Sequence, residues 1–590
     1  DRYEYYNLET TSGDCGSILV AIGSTIARKL LGIHVCGKLH LGVSSPFNLD
    51  DINRAFLDLP IEAQIGLDLS PLLSSHGSLH DVALPEGNFT PVGKSLYKTV
   101  SPSKTKLRPS EIVGKIAEVT MAPSALRPVR VDGVIVDPML FGLKKAGNIP
   151  PEINQKSLDA AINDVKRLVL ANASEEDRKV FSPMEAVTGV EGDEFVSAIS
   201  RKSSPGYPYM QERAGKPGKT KWLGEGEVFK LDKALEGEML ERIEKAKNGV
   251  RTPTIFVDTL KDERRTMEKV RAGKTRVFAA GPMDFTLVFR MYFLGFAAHV
   301  MRNRIDNEIS VGTNVYSHDW TKTAERMRSK GQKVIAGDFS NFDGTLLLPM
   351  LYQILDIINE FYSDGNDLIR HVLWKEIVNS VHLYGDNVYL WTHSQPSGCP
   401  ITALLNSLFN SVSMRYVWME MMPDELRSMR EFNEHVAMVS YGDDNVINIA
   451  DAVIDRFNQI TIAEGYAKIG MTYTDEAKSG DMVPFRSLTE CSYLKRGFVY
   501  SHEEKQWIAP LEMTTVLEMT NWVRGDEDRL ESTLTNVETS AFELSLHGRE
   551  AYERWMPIYR RACRDLPKLP LLLTFDEQRE NELRKHGRLN

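Results

Sequence analysis

Two adjacent aspartates stand in Met438-Val-Ser-Tyr-Gly-Asp-Asp-Asn-Val-Ile-Asn-Ile449. Apolar stretches flank Gly442-Asp443-Asp444, and glycine suits a tight turn. A hairpin over residues 436–449 would present both carboxylates at its tip, and hard cations such as Mg²⁺ take carboxylate oxygens. An ordinary surface hairpin fits the same letters. In Val334-Ile-Ala-Gly-Asp-Phe-Ser-Asn-Phe-Asp343 an apolar strand ends at Asp338, and Asp343 follows five residues later. Asp338 beside Asp443 could share a pair of metal ions about 3.5–4 Å apart, which activate an attacking hydroxyl and stabilise departing pyrophosphate. Asp343 also fits as the N-cap of the next helix.

Other segments could serve the same chemistry. In Gln395-Pro-Ser-Gly-Cys-Pro-Ile-Thr402-Ala-Leu-Leu-Asn406, a Gly-containing loop opens a helix. Thr402 and Asn406 share a helix face and are suited to reading a sugar hydroxyl; a capped helix alone explains them equally well. Residues 261–276 hold seven basic residues against three acids. Lys274-Thr-Arg276-Val-Phe alternates like a strand, with Lys274 and Arg276 on one face, where they could clamp a triphosphate. A solvated charged surface is the alternative. Ser203-Ser-Pro-Gly-Tyr-Pro-Tyr209 reads as a rigid loop whose tyrosines stack on bases or simply pack.

These segments need a large scaffold. The chain has 590 residues, 42% of them hydrophobic and 26% charged, enough for several domains and unlike a disordered chain. Net charge is −10, so any nucleic-acid site must be a local basic channel. The five cysteines, Cys15, Cys36, Cys399, Cys491 and Cys563, lack metal or disulfide spacing and suit a reducing compartment. Residues 285–301 are strongly apolar but include Arg290 and are too short to span a bilayer, so they read as a buried helix. Helices are expected over 152–180, 230–248, 349–360, 403–422 and 541–561, and strands over 17–22 and 32–35. Residues 50–91 read as a boundary or linker, with Gln64 a processing point. The opening Asp1 suggests a piece excised from a longer polypeptide.

The chain order of these motifs, closed by Tyr493-Leu-Lys-Arg-Gly-Phe498, resembles that of the RNA-dependent RNA polymerases of picornavirus-like positive-strand RNA viruses. Ser103-Lys-Thr-Lys-Leu107 is similar to that family's N-terminal fingers segment. Asp-Phe-Ser-Asn-Phe-Asp-Gly and Glu543-Leu-Ser-Leu-His-Gly548 look most like dicistroviruses or iflaviruses. The resemblance implies an α+β right-hand polymerase over residues 65–590. Its antiparallel palm would centre on 330–350 and 436–480, and its thumb on about 500–590. It implies metal ligation and catalysis by Asp338, Asp443 and Asp444, with Lys478 as general acid. It implies nucleotide contacts from Lys261, Arg265, Lys269, Lys274, Arg276, Asp343, Ser397, Gly398, Thr402 and Asn406. RNA contacts would come from Ser203, Ser204, Pro205, Gly206, Tyr207, Lys495 and Arg496. Mg²⁺, with Mn²⁺ an alternative, is the implied cofactor. The implied partners are template and nascent RNA, nucleoside triphosphates, a viral protein primer and other replication proteins. The implied location is the host cytoplasm, at membrane-associated replication complexes.

Thr11-Ser-Gly-Asp-Cys15-Gly-Ser and Gly32-Ile-His34-Val are similar to the C-terminal barrel of chymotrypsin-like viral cysteine proteases. That resemblance implies that residues 1–64 are a protease fragment plus linker, with Cys15 the nucleophile and His34 shaping the substrate pocket. The catalytic His and its acid partner should lie upstream of the first residue, so the fragment is expected to be inactive. A buried structural cysteine is the alternative. Dominant protease activity is one rival for the whole chain, and a non-catalytic RNA-binding module is the other. Paired Asp338 and Asp443 argue against it, because carboxylates repel phosphate unless a metal intervenes.

Overall fold

The computed structural model describes residues 3–6, 18–20, 30–38, 41–46, 67–75, 82–85, 87, 89–148, 150–476 and 482–586. The chain divides into two compact units, Asp1–Leu67 and Asp68–Asn590. In the first, four antiparallel strands form one sheet in the order Tyr3–Tyr6, Leu41–Pro46, Leu30–Lys38, Ile18–Val20. Among the described residues this sheet is open and does not close into a barrel. His34 is buried and lies opposite Ser44. Cys15 and Gln64 lie outside the described residues.

The second unit is mixed α and β. One sheet joins Val277–Ala280, Ile255–Leu260, Val381–Tyr384, Asn387–Leu390 and Thr90–Lys94, with a single parallel pair between Ile255–Leu260 and Val381–Tyr384. The other is antiparallel, in the order Val436–Tyr441, Asp444–Ile449, Lys333–Ser340, Thr472–Asp475. Val334, Ile335 and Ala336 are consecutive and all buried. A strand covered on both faces reads as a continuous apolar run rather than an alternating one. Val334, Ala336, Val439 and Val446 share a core cluster with Trp320, Tyr493 and Phe498.

The apolar stretch around Arg290 is a buried helix, Met283–Arg302. Phe289 and Phe293 stack at 4.0 Å, and Phe293 stacks on Trp374 at 5.7 Å. Arg290 fits there because it donates to the Ala186 and Ser197 carbonyls, at 2.7 and 2.6 Å; burial without an acidic partner brings its pKa down to about 10. The helices expected near 230–248, 349–360 and 403–422 are Lys233–Lys247, Leu348–Tyr362 and Thr402–Met421. Two expectations need correction. The helix placed at 152–180 stops early, at Val169. The one placed at 541–561 is two helices, Arg529–Ser545 and Arg549–Cys563, parted at Gly548, whose φ of +88° leaves the helical region.

The C-terminal helices bury Val537, Leu544, Tyr552, Met556 and Tyr559 together with Ile112 and Ile116 from far upstream. Strand Leu107–Pro109 pairs with Trp522–Arg524, and the Gly114 N–H donates to Asn521 Oδ1 at 2.9 Å. Residues 107–116 are thereby tied to the C-terminal helices.

Candidate active site

The antiparallel register of the second sheet brings the acids together. Gly337 pairs with Asn445, so one step further Asp338 comes opposite Asp444. Gly337 has no room for a side chain, because a Cβ there would lie 1.8 Å from the Tyr473 hydroxyl. Tyr473 in turn donates to Asn445 Oδ1 at 2.8 Å. Gly442 adopts φ +65°, the left-handed turn that glycine makes without strain. Carboxylate oxygens of Asp338, Asp443 and Asp444 lie within 4.8 Å of one another. Three carboxylates that converge so closely repel one another unless a cation sits among them, and their hard oxygen donors fit a divalent ion of the Mg²⁺ type.

Helix Thr402–Met421 clamps this hairpin. Ser407 Oγ accepts from the Gly442 N–H at 2.7 Å, and Asn410 Nδ2 donates to the Gly442 and Asp443 carbonyls, each at 3.2 Å. One helical turn earlier, Asn406 Nδ2 donates to Asp343 Oδ1 at 3.0 Å. Asp343 lies in a short 3₁₀ turn, Phe342–Gly344, not at the start of the next helix, whose cap position is Leu347. The capping role is therefore excluded. Asp343 is exposed to solvent yet crowded by protein; the desolvation raises its pKa, and Asn406, Lys145 and Arg276 pull it back only in part.

The loop before this helix is pressed onto the other sheet. Ser397 Oγ accepts from the Ala279 N–H at 3.1 Å, and a Cβ on Gly398 would lie 2.0 Å from the Ala279 carbonyl oxygen. The Thr402 hydroxyl donates to the Cys399 and Ser397 carbonyls, at 2.7 and 3.2 Å, which fixes the loop.

The basic segment is organised around an acid. Arg276 pairs bidentately with Glu263, while Lys261 and Arg265 each approach it at 3.6 Å. Burial works against the Glu263 charge, but the three cations hold its carboxyl below the ordinary range. Arg276 is stabilised as a cation first by Glu263, with Asp443 and Asp343 adding to it. Lys274 and Arg276 precede the strand Val277–Ala280 rather than forming it; both are exposed around buried Thr275. Lys269 is exposed on the short helix Met267–Arg271.

Four expected RNA contacts are turned inward. Tyr207 is 2% exposed, and its hydroxyl lies 3.2 Å from Ser95 Oγ. Pro205 and Gly206 are buried as well, which leaves Ser203 and Ser204 exposed in that loop. Arg496 is also buried. It bonds Glu543 at 3.0 and 2.8 Å, the Ala509 carbonyl at 2.7 Å and the Tyr316 hydroxyl at 2.8 Å. Its guanidinium braces the fold, because Glu543 lies on the helix Arg529–Ser545 behind it. Lys495 is exposed at the hairpin tip. Lys478 lies outside the described residues.

Sequence reasoning missed Ser407, Asn410, Glu263, Lys145 and Gln395. Asn410 was within reach, since Thr402, Asn406 and Asn410 recur every four residues along one helix face. Lys145 and Gln395 carry no local signal, because their partners are distant in sequence.

The family of viral RNA-dependent RNA polymerases matches residues 116–563. The replicase polyprotein of Acute bee paralysis virus (strain Rothamsted) is 43% identical over 94% of the chain, and that of Drosophila C virus (strain EB) is 40% identical over 98%. The chain spans about a third of these relatives, 31% and 34% of their lengths. The solved Sicinivirus 3Dpol RNA dependent RNA polymerase superposes with a TM-score of 0.72 at 20% identity, covering 85% of this chain and 100% of that one, a likeness of fold. With three quarters of its length inside the family match and the paired acids at the centre of its antiparallel sheet, the chain belongs to the viral RNA-dependent RNA polymerases.

Proposed function

We propose that this chain extends an RNA strand on an RNA template, adding nucleoside monophosphates from triphosphates and releasing pyrophosphate. The observation that carries this reading is the convergence of Asp338, Asp443 and Asp444 beside the Asp343–Asn406 pair. Asp338, Asp443 and Asp444 would hold Mg²⁺, or Mn²⁺ in its place. Such a cation would supply Lewis acidity toward the primer hydroxyl and the phosphates. Arg276, with Lys261, Arg265, Lys269 and Lys274 around it, attracts the triphosphate toward the acids. Asp343 and Asn406 receive the ribose, while Thr402, Ser397 and Gly398 hold the loop beneath the nascent pair. Lys478 donates a proton to the departing pyrophosphate; Lys478→Leu should slow chemistry by about 10²–10⁴-fold with nucleotide affinity less changed, measured by rapid quench. Exposed Ser203, Ser204 and Lys495 contact RNA.

The domain reading has the antiparallel sheet as palm, the C-terminal helices as thumb and the remainder from about residue 65 as fingers. Residues 1–64 are read as the end of the protease that precedes the polymerase in a processed polyprotein, with Cys15 and His34 its remnants. No peptide turnover is expected from this chain, with or without Cys15→Ala. A viral protein primer, other replication proteins and a membrane-associated site in the host cytoplasm complete the reading. Among the described residues no helix is long and apolar enough to cross a membrane. Primer extension on a homopolymeric RNA template tests the reading: product is expected with Mg²⁺ and none with a chelator. Failure to extend any RNA primer with either Mg²⁺ or Mn²⁺ would overturn it.

A further inference from the structure

Gln395 belongs to none of the groups above, yet its amide is fully buried against the ribose pair. Its Nε2 donates to Asn406 Oδ1 and lies 3.5 Å from the Thr402 carbonyl oxygen. Its own Oε1 is buried without a hydrogen-bond partner. A buried amide with one unsatisfied end is unfavourable, so the end that is used must matter more than the end that is not.

The use follows from hydrogen-bond direction. A side-chain amide can stand two ways round, exchanging its oxygen and its NH₂. An ionised Asp343 only accepts, so Asn406 must turn Nδ2 toward it, which leaves Oδ1 on the opposite side in need of a donor. Gln395 is that donor. Gln395 cannot reverse, because its Oε1 would then face two acceptors, Asn406 Oδ1 and the Thr402 carbonyl. The order therefore runs one way, from Gln395 to Asn406 to Asp343. It leaves one Asn406 N–H and one Asp343 oxygen uncommitted by these bonds. A 2′-hydroxyl both donates and accepts, and it completes that pair; a deoxyribose does not.

We propose that Gln395 is a positioning residue that fixes the orientation of the Asn406 amide and thereby sets selectivity for ribonucleotides over deoxyribonucleotides. This rests on the reading that Asp343 and Asn406 receive the ribose. Without Gln395, Asn406 loses the partner that holds Oδ1, and the reversed amide sets its oxygen against the Asp343 carboxylate.

The test compares kcat/KM for matched ribo- and deoxyribonucleotides on one homopolymeric RNA template. The full chain is used as wild type, Gln395→Met, Asn406→Ala and the double variant. Gln395→Met should lower the ribo-to-deoxy ratio about three- to tenfold, the worth of one hydrogen bond to a buried polar group. The loss should appear as a raised KM for the ribonucleotide, with deoxyribonucleotide use little changed. In the Asn406→Ala background the same substitution should add nothing, because it acts through Asn406. Gln395→Leu, which is close in size and carries no donor, should lose the ratio too and serves if the methionine variant does not fold. A wild-type ratio in a folded Gln395 variant, or an equal loss with and without Asn406, overturns the proposal while leaving the ribose reading intact. If Asn406→Ala itself keeps the wild-type ratio, the ribose reading fails instead.

Discussion

The hairpin of Val436–Tyr441 and Asp444–Ile449 and the hairpin of Ser492–Tyr493 and Arg496–Gly497 both turn tightly with charged residues at the bend. In the first, Gly442 takes the left-handed position, and Asp443 and Asp444 converge with Asp338. In the second, Leu494 and Lys495 adopt φ of +54° and +61°, a costlier turn for residues with side chains. There Lys495 points out, while Arg496 is folded back into the interior against Glu543. Both hairpins look charged in sequence. What separates them is the distant partner: helix Thr402–Met421 holds the acidic turn by its backbone carbonyls, whereas helix Arg529–Ser545 engages the arginine side chain itself. A charged residue in a motif thus serves the site or the scaffold according to which atoms the rest of the chain takes.

The sharpest break in this comparison is at the acids. Asp338→Ala or Asp443→Asn should abolish nucleotide incorporation while thermal unfolding stays cooperative; near wild-type extension by either would remove the acidic hairpin from the chemistry. At the other hairpin the loss should fall on stability. Arg496→Met leaves the Glu543 carboxylate buried without its partner, at a cost of about 3–5 kcal/mol read from urea unfolding. Lys495→Ala should leave the urea midpoint unchanged and reduce the salt dependence of primer–template binding. Asn410→Ala strips the donor from two turn carbonyls and should cost about 1–3 kcal/mol, with a fall in kcat beyond the loss of folded protein.

The smallest effect concerns Asp343. Its pKa is raised in the folded chain, first by desolvation. An acid raised on folding favours the folded state below its unfolded pKa, and that contribution is lost as pH rises through the folded value. Asp343→Asn should therefore gain a little stability at neutral pH, with the difference from wild type vanishing on acidification below the ordinary carboxylate range. A neutral-pH loss, measured as Tm against pH, would show that the site stabilises this charge rather than straining it.

The acidic centre was legible because it is built from local pattern: an apolar run, a glycine turn and two acids, then a second apolar run ending in an acid. The helices near 283–302, 348–362 and 402–421 were legible for the same reason, as long apolar stretches with few breaks. The split at Gly548 was missed because residues on both sides keep helical character, and only the turn between them changes direction. Arg496, Tyr207 and Gln395 were not legible. Their roles depend on Glu543, Ser95 and Asn406, which lie 47, 112 and 11 residues away. Glu263 is one of three acids among seven bases in residues 261–276, and nothing local marks it as the one round which three cations gather.

The central claim is that Asp338, Asp443 and Asp444 act together as a cation site that the polymerase reaction requires. Mn²⁺ binding followed by electron paramagnetic resonance, with incorporation measured on the same wild-type and Asp443→Asn samples, tests it most directly. The account predicts weaker Mn²⁺ binding and lost incorporation together in the variant. Wild-type Mn²⁺ affinity with near wild-type incorporation in Asp443→Asn would contradict it.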